Sequence, residues 1–336
     1  MSTAVEERIR GASETRRSFK IDNIRFILIL LVVFGHLSEG VSGGFAKSLY
    51  NVIYCFHMPC FIFLTGYFAK FSPKTFIRRL AIPYVVFQTL YLIFDHLVIH
   101  PQEELFLQFG TPYWLLWYLM TAMWYNMLVP IIHTKSKRTA AIVLAVSVAI
   151  ALLSGYDRAP VYDEGAGYFL SASRTLAFVP FFVGGYYCAT VFSQDFMTAL
   201  RRHRRSLPVI SAAGIVITEV IILRLRVPAV VLFCAAGYDA VGGDPIIRLV
   251  MQLCALSWLT FLLCTVSDRK IPFITSAGQR TMAVYLLHGF VQRLIVKYRL
   301  LHFSAAVNLL LALLMAAAIL AVFSAKPIHR LFRKLF

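Results

Sequence analysis

Two ionisable residues, Arg25 and His36, lie in one apolar stretch, KIDNIRFILILLVVFGHLSEG, residues 20–40. On an α-helix their spacing corresponds to about three turns, so both side chains share one face, about 16 Å apart along the axis. Ionisable groups inside a membrane span usually face a cavity or a partner. A neutral imidazole can accept a proton and a guanidinium can bind phosphate, so the pair suits base catalysis with an anionic donor. Two plainer interpretations remain open: Arg25 as an interfacial anchor, and His36 in a helix–helix hydrogen bond.

The composition indicates the elements that position this pair. The chain has 336 residues, of which 59% are hydrophobic and 15% charged, as in an integral membrane protein. Ten apolar runs are long enough to cross a bilayer, at 24–40, 46–69, 77–99, 114–132, 139–154, 168–192, 207–223, 246–266, 281–298 and 304–325. We therefore predict an all-α membrane protein, a bundle of about ten transmembrane helices. Its parts are an N-terminal tail at 1–23, a transmembrane domain at 24–325 and a basic tail at 326–336.

The distribution of charge predicts the orientation of the bundle. Basic residues cluster in alternate connections, which predicts that both termini are cytoplasmic, in a multi-pass protein of the cell (plasma or inner) membrane. The net charge of +17 is spread over these clusters rather than over one face, which argues against nucleic acid as a partner. The six cysteines have no ligand-like spacing, so we predict packing thiols and no metal site.

Further candidate residues occur in other apolar runs. His57 lies near Pro59 in the second run, and this proline predicts a kink or a break in the helix. Arg174 and Glu219 fall near the predicted depth of His36, where they form either part of a polar site or a structural ion pair.

The ninth run contributes Tyr285 and His288, which share a helical face. Arg78 and Arg79 begin the third run, as surface anchors or as phosphate ligands. The segment 224–245 is predicted to be an outer lid. The connection GYDRAPVYDEGAG, 155–167, either lines an entrance for a polar substrate or is a plain connector. Its candidate sugar-binding residues are Tyr156, Asp157, Tyr162, Asp163 and Glu164.

The absence of several common catalytic motifs limits the classes of reaction that the sequence can support. The sequence contains no phosphate-binding glycine loop, no HExxH, no GxSxG and no CxxC. The residues alone leave two classes open. One is a proton-coupled transporter or exporter of a glycan or lipid, with His36, Glu219 and Arg174 as its relay, and the other is a membrane enzyme. No internal repeat of the kind expected for a transporter is found.

Arg25 and His36, separated by ten residues and preceded by IDNIR, resemble the R-x10-H signature of the acyltransferase family 3 integral membrane proteins. The resemblance continues in the family's order over nearly the whole chain. Its blocks are FHMPCFIFLTGYF (56–68), RRLAIPY (78–84), LWYLMTAMW (116–124), SRTLAFVPFFVGGY (173–186) and SAGQRTMAVYLLH (276–288). They look most like the branch related to fucose 4-O-acetylase.

This resemblance implies a ten-helix O-acyltransferase that moves an acyl group, with acetyl favoured, from cytoplasmic acyl-CoA to a hydroxyl of an extracytoplasmic or lipid-linked glycan. Acetyl-CoA is then a co-substrate, and no cofactor is bound permanently. The resemblance implies that His36 is the catalytic histidine and that Arg25 helps to hold the coenzyme. Arg174, Tyr285 and His288, which match motif positions, are further predicted catalytic residues. Arg78 and Arg79 are further predicted coenzyme ligands, and Glu39, His57 and Trp117 are predicted acceptor contacts.

The implied mechanism is direct transfer with His36 as the base, and an acyl-histidine relay ranks second. The expected partners are acyl-CoA, the sugar acceptor and membrane lipids. The oligomeric state is left open, with a homodimer as one option.

Overall fold

The structure, a computed structural model, describes residues 19–156 and 166–336. These residues form helices and no strand. Within them, eight helices are long and apolar enough to cross a membrane, and one bent pair makes a possible ninth. The protein is therefore an all-α, multi-pass membrane protein.

Fifteen helices are numbered here in chain order. They are α1 (Phe19–Ser38), α2 (Gly44–Tyr67), α3 (Pro73–Ile99), α4 (Trp114–Ile132), α5 (Lys137–Leu153), α6 (Ala172–Thr190), α7 (Ser193–Arg202), α8 (Ser206–Arg224), α9 (Ala229–Leu232), α10 (Tyr238–Val241), α11 (Pro245–Thr265), α12 (Pro272–Gly278), α13 (Thr281–Lys297), α14 (Ala305–Phe323) and α15 (Lys326–Leu335). The bent pair combines the sixth predicted span with α7, which turns away by 93°. The ninth predicted run corresponds to α13, which has 17 residues.

The second predicted span is continuous. Helix α2 runs from Gly44 to Tyr67 with Pro59 inside it, so of the predicted kink or break the break is wrong, and the kink stays a prediction. A proline removes one backbone hydrogen bond, and the turns on both sides keep the helix intact.

Helix α1 is central to the bundle. Ile24 and Leu28 belong to one buried apolar cluster, which also contains residues of α2, α6 and α11. Ile29 and Val33 belong to a second cluster, with residues of α3, α4, α13 and α14. The face of α1 that carries Arg25 and His36 therefore lies between two packed groups of helices.

Buried polar contacts fix the start of α1. Asn23, which is 2% exposed, donates from Nδ2 to the carbonyls of Ser267 (2.9 Å) and Arg269 (3.0 Å). The Thr275 hydroxyl donates to Asn23 Oδ1 at 2.8 Å. These hydrogen bonds therefore hold the start of α1 to α12 and to the connection before it.

Helices α2 and α6 touch through glycines. A Cβ atom on Gly66 would overlap the backbone carbonyl of Phe182, and one on Gly185 would overlap that of Phe63. Small residues let membrane helices approach closely where no hydrophobic effect drives them together. This contact brings His57 of α2 and Arg174 of α6 to the same side of the bundle.

Candidate active site

A cavity of about 360 Å³ opens where the end of α1 meets α2, α4 and α6. We call it the distal cavity. Five predicted site residues line it, namely His36, Glu39, His57, Trp117 and Arg174. Leu232 and Phe233 also line it, so the segment predicted as a lid does border this cavity. Residues from separate regions of the chain thus meet at one place.

His36 is held by its surroundings. Its Nδ1 lies 3.0 Å from the Tyr54 hydroxyl, and its ring centre lies 4.6 Å from that of Trp114. The His288 ring stacks beside it at 5.5 Å. When Nδ1–H donates to Tyr54, the other ring nitrogen keeps a lone pair and can act as a base.

His288 and Tyr285 are both fully or nearly buried. His288 Nδ1 donates to the carbonyls of Val284 (3.1 Å) and Tyr285 (2.8 Å). Its Nε2 is buried and has no partner among the residues that the structure describes. This pattern leaves Nε2 as a hydrogen-bond acceptor beside His36. The Tyr285 hydroxyl donates to the Leu115 carbonyl at 2.7 Å and so supports the cavity wall.

His57 combines a local role with a place in the cavity. Its Nδ1 donates to the Ile53 carbonyl at 2.6 Å, which leaves Nε2 as an acceptor. Arg174 donates from Nε to the Phe233 carbonyl at 3.2 Å, and its guanidinium lies 4.8 Å over the Trp117 ring. The cation–π contact makes Trp117 a support for Arg174 as well as part of the wall.

Glu39 follows the end of α1 and lies at the rim of the distal cavity. Partial burial raises the pKa of its carboxyl above the ordinary value, and the positive charge of Arg293 opposes this rise. The rim therefore carries a carboxyl that binds its proton more tightly than a solvated glutamate does.

Three residues of this region were not predicted from the sequence: Tyr54, Trp114 and Arg293. The Arg293 guanidinium lies 5.2 Å and 5.1 Å over the rings of Tyr113 and Trp114. The one signal for Tyr54 is its position three residues before His57 on α2, and Arg293 follows His288 by five residues on α13.

A smaller cavity of about 140 Å³, the proximal cavity, lies beside the distal one. His36, Met58, Leu115 and Trp117 line both. Ile29 and Val32 line only the proximal cavity, on the helical face that joins Arg25 to His36. This face therefore connects the His36 imidazole with the start of α1.

A third cavity, of about 1120 Å³, lies at the start of α1. We call it the basic cavity, because Lys20, Arg25, Arg201 and Arg204 line it, against Asp22 and Asp268. The Arg25 guanidinium lies 4.6 Å over the Phe68 ring and 3.9 Å from the Asp22 carboxylate. Helix α2 links this region to the proximal cavity, because Phe61 lines the proximal cavity and Leu64, one turn on, lines the basic one.

Two predicted positively charged residues lie elsewhere. Arg78 and Arg79 are exposed on the π-helical segment Ile77–Ala81 of α3, and in the described part of the chain they line none of these three cavities. Their role in coenzyme binding stays a prediction. Of the connection 155–167, residues 157–165 lie outside the described residues.

Glu219 does not join the site. Its Oε1 accepts hydrogen bonds from Cys254 Sγ and Trp258 Nε1, each at 3.3 Å. Glu219 therefore contacts these two residues, and not Arg174 as in the predicted ion pair. Cys55 lies beside Cys254 and Glu219, with the ligand atoms within 4.8 Å of one another, so the absence of a metal site stays a prediction. The transporter relay of His36, Glu219 and Arg174 is therefore not assembled around His36. Glu219 lies near the predicted depth of His36, but its helix turns this side chain towards Cys254 and Trp258.

Histidines and arginines from the helices of the bundle therefore line the distal and basic cavities, an arrangement typical of a membrane protein that acts on polar or charged ligands. Residues 19–325 match the family described as an acyltransferase domain, Acyl_transf_3. The chain belongs to acyltransferase family 3 and is a membrane acyltransferase. Its resemblance to the fucose 4-O-acetylase branch stays a prediction.

One curated relative is similar to part of the chain. It is the nodulation protein NolL of Mesorhizobium japonicum, 26% identical over 161 residues. The match covers 42% of this chain and 42% of NolL, so the chain spans less than half the length of that relative. No solved structure matches the chain.

Proposed function

We propose that this membrane acyltransferase is an O-acetyltransferase of the cell membrane that uses acyl-CoA and acylates a hydroxyl of a glycan or lipid-linked sugar. One observation carries the proposal: His36 borders both the proximal and the distal cavity, at the end of a helical face that starts at Arg25. Donor and acceptor can thus approach one imidazole from opposite sides.

The basic cavity supports a phosphate-bearing donor. Four cations line it and two carboxylates offset them only in part, which suits the phosphates of coenzyme A. The distribution of basic residues predicts that this end faces the cytoplasm, where acyl-CoA is available. The pantetheine arm would then follow Ile29 and Val32 to His36.

The transfer step follows from the contacts of His36. With Nδ1–H donated to Tyr54, Nε2 removes the proton of the acceptor hydroxyl, and the oxygen attacks the thioester carbonyl. The tetrahedral intermediate collapses to the ester and expels the coenzyme thiolate, which takes the proton back from the imidazolium. Arg174 is the donor that suits the oxyanion, because neutral His288 offers only an acceptor nitrogen.

The distal cavity supports a sugar acceptor. Six of its fourteen lining residues are aromatic, including Trp114, Trp117 and Phe233, and a few polar groups converge on it. Such a wall with few polar groups is typical of sites that orient a ligand through a small number of hydrogen bonds. Glu39 and His57 can accept hydrogen bonds from sugar hydroxyls.

The test measures thiol release from acetyl-CoA by the purified protein in detergent, with a membrane glycan extract as acceptor and mass spectrometry of the products. We expect His36→Ala to lower turnover by about 10²–10⁴-fold, as for loss of a general base. Its thermal stability and its affinity for coenzyme A should stay close to wild type. The matched control is His302→Ala, which removes an exposed histidine from a connection between helices. Normal turnover by His36→Ala, or no thiol release by the wild-type protein, would overturn the proposal.

A further inference from the structure

The proximal and distal cavities share a border of four residues, which we call the neck. They are His36, Met58, Leu115 and Trp117, and each lines both cavities. One of the four is polar, and the other three are apolar or aromatic. Anything that passes between the cavities must pass these side chains.

The position of His36 decides where the acyl group of the donor must lie. The proximal cavity, at about 140 Å³, is less than half the volume of the distal cavity, at about 360 Å³. His36 is itself a member of the neck, so a thioester carbonyl that reaches it from the proximal side lies at the neck. An acyl chain that extends beyond the carbonyl must therefore enter the neck or the acceptor space behind it.

The members of the neck differ in how firmly they are held. The Leu115 carbonyl accepts the Tyr285 hydroxyl at 2.7 Å, and the Leu115 side chain is 2% exposed. Trp117 lies under the Arg174 guanidinium at 4.8 Å, and His36 is tied to Tyr54. Met58 is half-buried, unbranched and in no described hydrogen bond, so it is the member whose shape can adapt.

We propose that the neck selects the donor by the length of its acyl group, with Met58 and Leu115 as the specificity-determining residues. This inference rests on the proposed function. An acetyl group ends at the neck, where its carbonyl can meet the hydroxyl activated by His36. Each further methylene must displace Met58 or occupy the acceptor's space, so longer acyl groups react more slowly.

The experiment compares kcat/KM for acetyl-, propionyl- and butyryl-CoA by thiol release in the purified protein. One methylene that does not fit a pocket costs about 10–200-fold, so the wild-type preference for acetyl- over butyryl-CoA should be about tenfold or more. Met58→Ala should reduce that preference by about tenfold, because it opens the neck. Leu115→Ala should act in the same direction.

Three control variants separate a change in donor preference from a loss of folding or a general loss of activity. Met127→Ala shortens a methionine of α4 that is 39% exposed and lines neither cavity, so it should keep the wild-type preference. Met58→Leu nearly conserves the volume and should also keep it. Leu115→Val makes a smaller opening and should shift the preference less than Leu115→Ala.

The results separate this inference from the proposed function. Equal use of the three donors by the wild-type protein would overturn the inference and leave acyl transfer from acyl-CoA in place. The same holds if folded, active Met58→Ala and Leu115→Ala both keep the wild-type preference. No thiol release by the wild-type protein from any of the three donors would overturn the proposed function, and the inference with it.

Discussion

The close contact between α2 and α6 predicts that alanine substitutions at two adjacent glycines, Gly184 and Gly185, differ in their effect on stability. At Gly185 a Cβ atom would overlap the Phe63 carbonyl oxygen and lie 2.9 Å from the Tyr67 nitrogen. Both atoms are backbone and cannot rotate away. At Gly184 the nearest atom would be Leu144 Cδ1 at 3.9 Å, which is ordinary contact. Gly185→Ala should therefore force the helices apart, and Gly184→Ala should not.

The magnitude follows from the geometry. To restore normal contact, α2 and α6 must separate by roughly 1 Å, and such a gap forfeits about a quarter to a half of each dispersion contact across it. Overpacking of this kind costs about 1–3 kcal/mol. Gly184→Ala instead gains helix propensity of up to about 1 kcal/mol. The two variants should therefore differ clearly in the free energy of unfolding.

The assay is reversible unfolding in mixed micelles with increasing SDS, followed by circular dichroism, with thiol release measured on the same samples. Because α2 carries His57 and α6 carries Arg174, Gly185→Ala should also lower acyl transfer. If Gly185→Ala and Gly184→Ala unfold within about 0.5 kcal/mol of each other, the backbone contact between these helices is not present in the protein.

Three further predictions concern single contacts. Tyr54→Phe removes the hydrogen bond to His36, worth about 0.5–1.5 kcal/mol, and should lower kcat by up to about tenfold at unchanged KM in the thiol-release assay; a change in KM alone would argue against positioning. Arg25→Gln should raise KM for acyl-CoA by about tenfold or more and weaken its dependence on salt, because a charge-assisted contact is lost; an unchanged KM would leave Arg25 as an interfacial anchor. Asn23→Ala should lower the free energy of unfolding by about 1–3 kcal/mol, because the Thr275 O–H loses its acceptor and two carbonyls lose a donor. Asn51→Ala, which removes one weak contact of 3.4 Å, is its control, and equal losses would contradict the reasoning.

The features that depend on local periodicity were predictable from the sequence. The shared face of Arg25 and His36 follows from helical geometry, and α1 is helical over both residues. The thickness of the bilayer sets the length of an apolar span, so apolar runs of that length predict helices. Each predicted run overlaps a helix of the structure. The family followed from ordered motifs, and the match over residues 19–325 confirms it.

The features that depend on how helices turn against one another were not predictable. Glu219 is near the predicted depth of His36 but faces Cys254 and Trp258, because sequence position fixes depth and not direction. Tyr54 and Arg293 look like ordinary residues of membrane helices until tertiary packing brings them near His36. Of the kink or break predicted at Pro59, the break was wrong, because a single missing hydrogen bond does not end a long helix.

The neck has a consequence for how such a protein can diversify. Outside the neck, some residues line one cavity only: Leu232 and Phe233 line the distal cavity, and Thr281 and Met282 line the proximal cavity. Substitutions can therefore reshape the chamber for one reactant while the other keeps its fit. We therefore expect that exchange of the segment around α9 between related chains changes the acceptor and leaves the acyl donor unchanged.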